Sequence, residues 1–268
     1  MPSTRPSRIV CLSAEAVEIL YRIGCGGRIV GVTGYATHPP EARSLPRVSG
    51  FSEVNYEKVD VLKPDLVITF SDVQAECARE LIRRGHTVLA TNQRSLEEIF
   101  RTILLIGRVA GCEAGAKKLT EEMRAEIFGE GTTSSTPPAN CPAVYFEEWN
   151  DPMISGIRWV SELLEAAGGC DIFADRRENP RAADRSVAPE EVIRRQPDIL
   201  IASWCGKKAR LDEICSREGW QAIPAIRHRQ VHEIPSDDIL QPGPGILRGF
   251  AQLRKIISAA SNPPGLNY

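Results

Sequence analysis

Val54-Asn55-Tyr56-Glu57-Lys58-Val59, followed after four residues by Pro64-Asp65-Leu66-Val67-Ile68, has a second copy in the same chain. That copy is Val187-Ala188-Pro189-Glu190-Glu191-Val192, followed after four residues by Pro197-Asp198-Ile199-Leu200-Ile201. The shared pattern is V-x-x-E-x-V, four residues, Pro-Asp, then an apolar run. Each copy reads as a short helix feeding a buried strand. Asn55 is placed to cap a helix carrying Glu57, Val59 and Leu62. Proline disfavours helical backbone in the residue before it, so the helix stops ahead of Pro64. Residues 66–70 then read as a mainly apolar strand buried on both faces of a parallel sheet, and residues 199–203 repeat the pattern. A weaker echo lies upstream of each copy: Glu18-Ile19-Leu20 before Gly24, and Glu162-Leu163-Leu164 before Gly168.

Around these anchors, further strands are expected at 8–12, 29–32, 87–90, 143–146 and 230–234, alternating with helices at 14–23, 75–84, 161–167 and 211–218. Alternation of this kind means α/β structure with mainly parallel sheets. Residues 95–128 are helical in propensity, opened by a Ser95/Glu98 capping box and bent near Gly111. A Gly/Thr/Ser/Pro stretch follows, which cannot bury apolar surface. The expected organisation is an N-terminal α/β lobe over 1–94 and a helical segment with an interlobe spine over 95–130. A flexible linker over 131–142 and a C-terminal α/β lobe over 143–268 complete it. Two lobes leave a cleft, the usual place for a small ligand, and residues after each strand lie at the sheet edge where open α/β sheets bind.

Composition narrows the function classes. The 268 residues are 42% hydrophobic and 25% charged, with a net charge of -2, so neither disorder nor a nucleic-acid footprint is expected. No run approaches the roughly 20 apolar residues that span a bilayer, so no membrane insertion is expected. No apolar h-region precedes residue 9. The expectation is a cytoplasmic protein if the chain is full length, and a periplasmic one if a leader has been trimmed. Eight cysteines are present without a Cys-x-x-Cys pair, and most read as reduced core residues of a cytosolic protein.

Several segments carry a family resemblance. They are Arg8-Ile9-Val10-Cys11-Leu12-Ser13, Gly34-Tyr35-Ala36-Thr37-His38-Pro39-Pro40, Val48-Ser49-Gly50-Phe51, the first repeat, and Ala167-Gly168-Gly169-Cys170-Asp171-Ile172-Phe173 with the second repeat. On these the chain resembles the cobalamin- and siderophore-binding proteins of ABC importers, the class III group with a helical backbone between its lobes. It is most like the vitamin-B12-binding members. The likeness runs from about Arg8 to Ala259. It implies a non-catalytic protein holding a corrinoid or related metal chelate in the interlobe cleft, with cobalamin as candidate ligand and no required cofactor. It also implies that Glu57 and Glu190, one per lobe, dock to an ABC permease. Aromatic side chains after the strands pack on the corrin ring in such relatives; Tyr35, Phe51 and Phe70 fall at those places.

The second half departs from that pattern. Trp149 and Trp204 are candidates to clamp a ring. Glu147, Glu148 and Cys205 are candidates for a metal or a cationic or amide-bearing group. His38, with Glu148 and Cys205, would make a mixed N/S/O ligand set. Arg185, just before the second repeat, is a candidate for a ligand carboxylate or phosphate. Two other readings stay open. One is a cytosolic enzyme, such as a chelatase acting on a tetrapyrrole or metal through Cys205. The other is a siderophore, haem or free-metal receptor, of which the free-metal form is poorly served by four histidines.

Overall fold

The computed structural model describes residues 5–129 and 140–261, and divides into two units. The first comprises the chain up to Met123 with Pro242–Pro244; the second comprises Arg124–Gln241 with the chain from Gly245. Residues 131–139 of the expected linker lie outside the described residues.

The first unit contains strands β1 (Ile9–Cys11), β2 (Ile29–Thr33), β3 (Arg47–Ser49), β4 (Leu66–Phe70) and β5 (Val88–Thr91). They form one sheet in the order β3-β2-β1-β4-β5, with every pairing parallel. Its helices are α1 (Ala14–Arg22), α2 (Tyr56–Leu62), α3 (Ala75–Arg83), α4 (Leu96–Ala110) and α5 (Glu113–Phe128), the last running past Met123. Val10 and Val67 of the central strands, with Leu12 just beyond β1, pack with Val48, Val59 and Leu81, in keeping with the strands' largely apolar sequences.

The second unit contains β6 (Ala143–Asn150), β7 (Met153–Ser155), α6 (Arg158–Ala166), β8 (Cys170–Asp171), α7 (Pro189–Arg195) and β9 (Ile199–Ala202). It continues with α8 (Leu211–Cys215), α9 (Pro224–Arg227), β10 (Val231–Glu233), α10 (Ser236–Ile239) and α11 (Ile246–Ser261). Its sheet runs β10-β9-β6-β7. β6 divides the edge away from β9 between two neighbours: β8 lies parallel to its start and β7 antiparallel to its end.

The repeat has a structural meaning in each unit. The last residue before Pro-Asp takes a left-handed conformation, Lys63 at φ 45° and Gln196 at φ 46°, and ends its helix. The aspartate then clamps the unit's first strand. Asp65 donates its N–H to Arg8 O at 2.9 Å, and its carboxylate accepts from Arg8 N–H at 2.9 Å and from the Ser7 N–H and hydroxyl at 2.8 Å. Asp198 donates to Ala143 O at 2.8 Å and accepts from Ala143 N–H at 2.9 Å. The weaker echo is the left-handed stop after α1 and α6, with Gly24 at φ 85° and Gly168 at φ 89°.

The helical segment is two helices, opened by the Ser95–Glu98 capping box and broken at Gly111, which is left-handed at φ 67°. The reading of most cysteines as reduced is corrected. Cys25 pairs with Cys112 and Cys141 with Cys170 as disulfides, and the Cα atoms of each pair, 6.7 and 5.6 Å apart, are within bridging reach. Of the four free cysteines only Cys11 and Cys77 are buried.

Candidate functional site

At the carboxyl edge of the first sheet, two aromatic rings stand out from the surface. Tyr35 follows β2 and is 43% exposed; Phe51 follows β3 and is 55% exposed. Their rings meet edge to face at 6.3 Å. Tyr35 is held by its loop: the Arg47 guanidinium donates to Thr33 O, Gly34 O and Ala36 O at 2.8, 3.0 and 3.3 Å. Phe51 caps a narrow turn in which Gly50 N–H donates to Glu53 O at 2.8 Å and Ser49 bridges Val54. Phe70, the last residue of β4, is half-buried, with the Arg94 guanidinium 5.7 Å from its ring centre and tied to Asp72 at 2.9 Å. His38 is half-buried in the loop beyond Tyr35.

At the carboxyl edge of the second sheet, Trp149 is half-buried and its indole N–H donates to Asp151 O at 2.9 Å. The Lys207 ammonium lies 3.8 Å from the centre of the Trp149 ring and donates to Asn150 Oδ1 at 2.7 Å. An indole face is the best aromatic partner for such a cation.

Trp204 is corrected from clamp to core. It is 1% exposed, and its indole N–H donates to Glu147 Oε1 at 3.0 Å. Glu147 is itself fully buried and bidentate with Arg217 at 2.5 and 2.9 Å, and it accepts from the Tyr145 hydroxyl at 3.2 Å. Burial and the Glu147 charge push the Tyr145 hydroxyl well above its ordinary pKa. This carboxylate closes a buried polar network and is not available to a metal.

Arg185 and Glu148 are corrected in the same way. Arg185 is 1% exposed and forks onto Glu148 at 2.8 and 3.1 Å, with a further bond to Ser155 O. Glu148 also accepts from Ile157 N–H at 2.9 Å, at the start of α6. Both charges are neutralised internally. Cys205 is exposed; desolvation of its thiol, then the Glu148 and Asp237 carboxylates, push its pKa up. A thiol so placed stays protonated near neutral pH and makes a poor nucleophile. Among the described residues no three His, Cys, Asp or Glu side chains converge to hold a metal ion. Glu57 and Glu190 are exposed in the first turns of α2 and α7, with Glu57 3.4 Å from Arg84.

The periplasmic binding protein family matches residues 9–237 of this chain. The chain belongs to that family.

Individual relatives agree. The uncharacterized ABC transporter substrate-binding lipoprotein YvrC of Bacillus subtilis is 30% identical over 260 residues, covering 94% of this chain and 80% of that one. The vitamin B12-binding protein of Vibrio cholerae is 29% identical over 252 residues, covering 92% and 87%. A crystal structure of the periplasmic vitamin B12 binding protein BtuF of Vibrio cholerae matches with a TM-score of 0.74 at 26% identity, covering 96% and 98%. That of a possible iron-binding, periplasmic solute-binding protein of Staphylococcus epidermidis matches with a TM-score of 0.78 at 25% identity, covering 95% and 99%.

As a periplasmic binding protein the chain is a non-catalytic substrate-binding protein, and the enzyme reading through Cys205 is not favoured. The family gives no support to the expectation of a cytoplasmic protein. Among the described residues no helix is long and apolar enough to cross a membrane. Sequence reading passed over Arg47, Gln74 and Lys207, because each acts through a contact that no local motif announces.

Proposed function

We propose that this protein binds a corrinoid of the cobalamin type and presents it to an ABC permease. The observation that carries the reading is the exposed Tyr35–Phe51 pair, two rings held edge to face at a sheet edge with a large apolar area open to a partner. The similarity to vitamin B12-binding proteins over most of the chain supports the same choice. The ligand contacts proposed are Tyr35, Phe51 and Phe70, all at the sheet edge of the first unit. His38, half-buried in the loop beyond Tyr35, is the proposed axial ligand for the cobalt. Trp204, Arg185 and Glu148 leave the contact set because the fold already occupies them. The corrinoid is cargo, not a resident cofactor.

Glu57 and Glu190 are the proposed docking carboxylates, matched by the repeat and both exposed. The two disulfides fit an oxidising compartment, which supports a working site outside the cytoplasm.

Equilibrium dialysis against hydroxocobalamin tests the reading. Stoichiometric retention at micromolar ligand is expected, with weaker retention by Tyr35→Ala and Phe51→Ala. A shifted cobalt absorption band that disappears in His38→Ala identifies the axial ligand. No retention by the wild-type protein removes the corrinoid, and haemin and ferric chelates become the next probes.

A further inference from the structure

Beneath the aromatic loops of the first unit lies one buried amide. Gln74 is 6% exposed. Its Nε2 donates to Leu12 O at 2.9 Å and to Phe51 O at 3.0 Å, while its Oε1 accepts from Phe70 N–H at 3.0 Å. Both kinds of polar atom are engaged, and only one orientation of the amide serves all three partners; the flipped group would set its oxygen against two carbonyls. The partners come from three separate parts of the sheet edge: the end of β1, the turn after β3 and the end of β4.

The backbone leading to Gln74 is strained. Ser71 has φ 62° and ψ 174°, a region that side-chain-bearing residues rarely occupy. Its N–H donates to Thr91 O at 2.7 Å, and its hydroxyl accepts from Val73 N–H at 3.2 Å. This turn brings Gln74 back under Phe70, four residues earlier. Cys77, one helical turn further on, lies 3.3 Å from Ser52 O and adds a contact to the same loop.

We infer that Gln74 is the positioning residue of this edge. One amide, delivered by a strained turn, fixes the carriers of Phe51 and Phe70 in place before a flat apolar ligand arrives. This deepens the proposed function and rests on reading the edge as a ligand contact. Pre-organisation of this kind lowers the ordering cost of binding.

Gln74→Met keeps the side chain's length and removes its hydrogen bonds. Amide hydrogen exchange is expected to rise about tenfold in residues 50–53 and 70–74 and to stay at the wild-type level in β6 and β9. Affinity for hydroxocobalamin is expected to fall about tenfold, and Phe51→Ala, costly in the wild-type background, is expected to cost under about twofold in Gln74→Met. A merely structural role would not couple the two substitutions in affinity. Unchanged loop exchange, or affinity losses that simply multiply, overturns the proposal. Wild-type protein that retains no hydroxocobalamin overturns the ligand reading instead, and the positioning role is then decided by the exchange alone. Gln74→Asn, one methylene shorter, breaks the same contacts and gives the same readouts if Gln74→Met does not fold.

Discussion

The Glu15 carboxyl sits buried in the first turn of α1. Desolvation raises its pKa to about 7, against weaker lowering by the Ser13 hydroxyl and its own backbone. In the unfolded chain the group titrates near 4.5. Between these values the unfolded state has lost its proton and the folded state keeps it. Stability from this group is therefore full below pH 4.5, falls as the pH rises to about 7, and is level above it. The whole drop is roughly 3 kcal/mol. Glu15→Gln does not titrate. Its unfolding free energy relative to wild type is expected to be higher at pH 8 than at pH 4 by about that amount, measured by urea denaturation at both values. An offset that does not change with pH refutes the raised carboxyl. The same scale shows what a sequence hides. Tyr35 and Phe51 were legible as candidate ring contacts through the family resemblance, which puts aromatic side chains at those places. The internal partners of Trp204, Arg185 and Glu148 were not legible, because they lie far along the chain: Glu147 meets Arg217 across 70 residues, and Arg185 meets Glu148 across 37.

Among elements, the two Pro-Asp steps are the clearest case of one local rule used twice. Each aspartate sits just ahead of an inner strand and binds the backbone at the start of the neighbouring strand. Desolvation pushes the Asp65 carboxyl up, but the Ser7 and Arg8 N–H groups and the Ser7 hydroxyl together hold it below the usual range. Its folded pKa lies below its unfolded one, so its contribution is present above about pH 4 and lost as the pH falls through the folded value. Asp65→Ala and Asp198→Ala should each lower stability at pH 7 by about 1–2 kcal/mol. For Asp65→Ala the loss relative to wild type should shrink in acid, as a pair of urea titrations at pH 7 and pH 3 reads directly. Equal losses at both pH values refute the ionised clamp. This motif was readable because its spacing is short and repeated. β7 and β8, at three and two residues, are too short to show a period. Helix α11 was missed for another reason. Gly249 interrupts its pattern, and it is there because a Cβ would lie 2.6 Å from Asp238 O, so close packing on α10 rather than flexibility selects it.

For the molecule as a whole, the class of fold was open to the sequence because its repeat doubles every local signal, whereas covalent closure was not: cysteine spacing says nothing of which thiols meet. The structure closes two loops. Cys25–Cys112 spans 87 residues of the first unit, and Cys141–Cys170 spans 29 residues of the second. By chain entropy the longer loop restricts the unfolded state more, about 4–5 kcal/mol against about 3–4 kcal/mol for the shorter. Two consequences separate this from a simple count of contacts. Reductant should lower the midpoint of thermal unfolding of a protein purified without it, and Cys25→Ala with Cys112→Ala should lose more stability than Cys141→Ala with Cys170→Ala. Reductant should then have no further effect on a chain carrying all four substitutions, although Cys205 and Cys215 remain. A wild-type midpoint indifferent to reductant means that the bridges do not form in solution, and the argument from disulfides to an oxidising compartment falls with them. A midpoint that drops in the expected order ties the stability of the molecule to the side of the membrane on which a periplasmic binding protein meets its ligand.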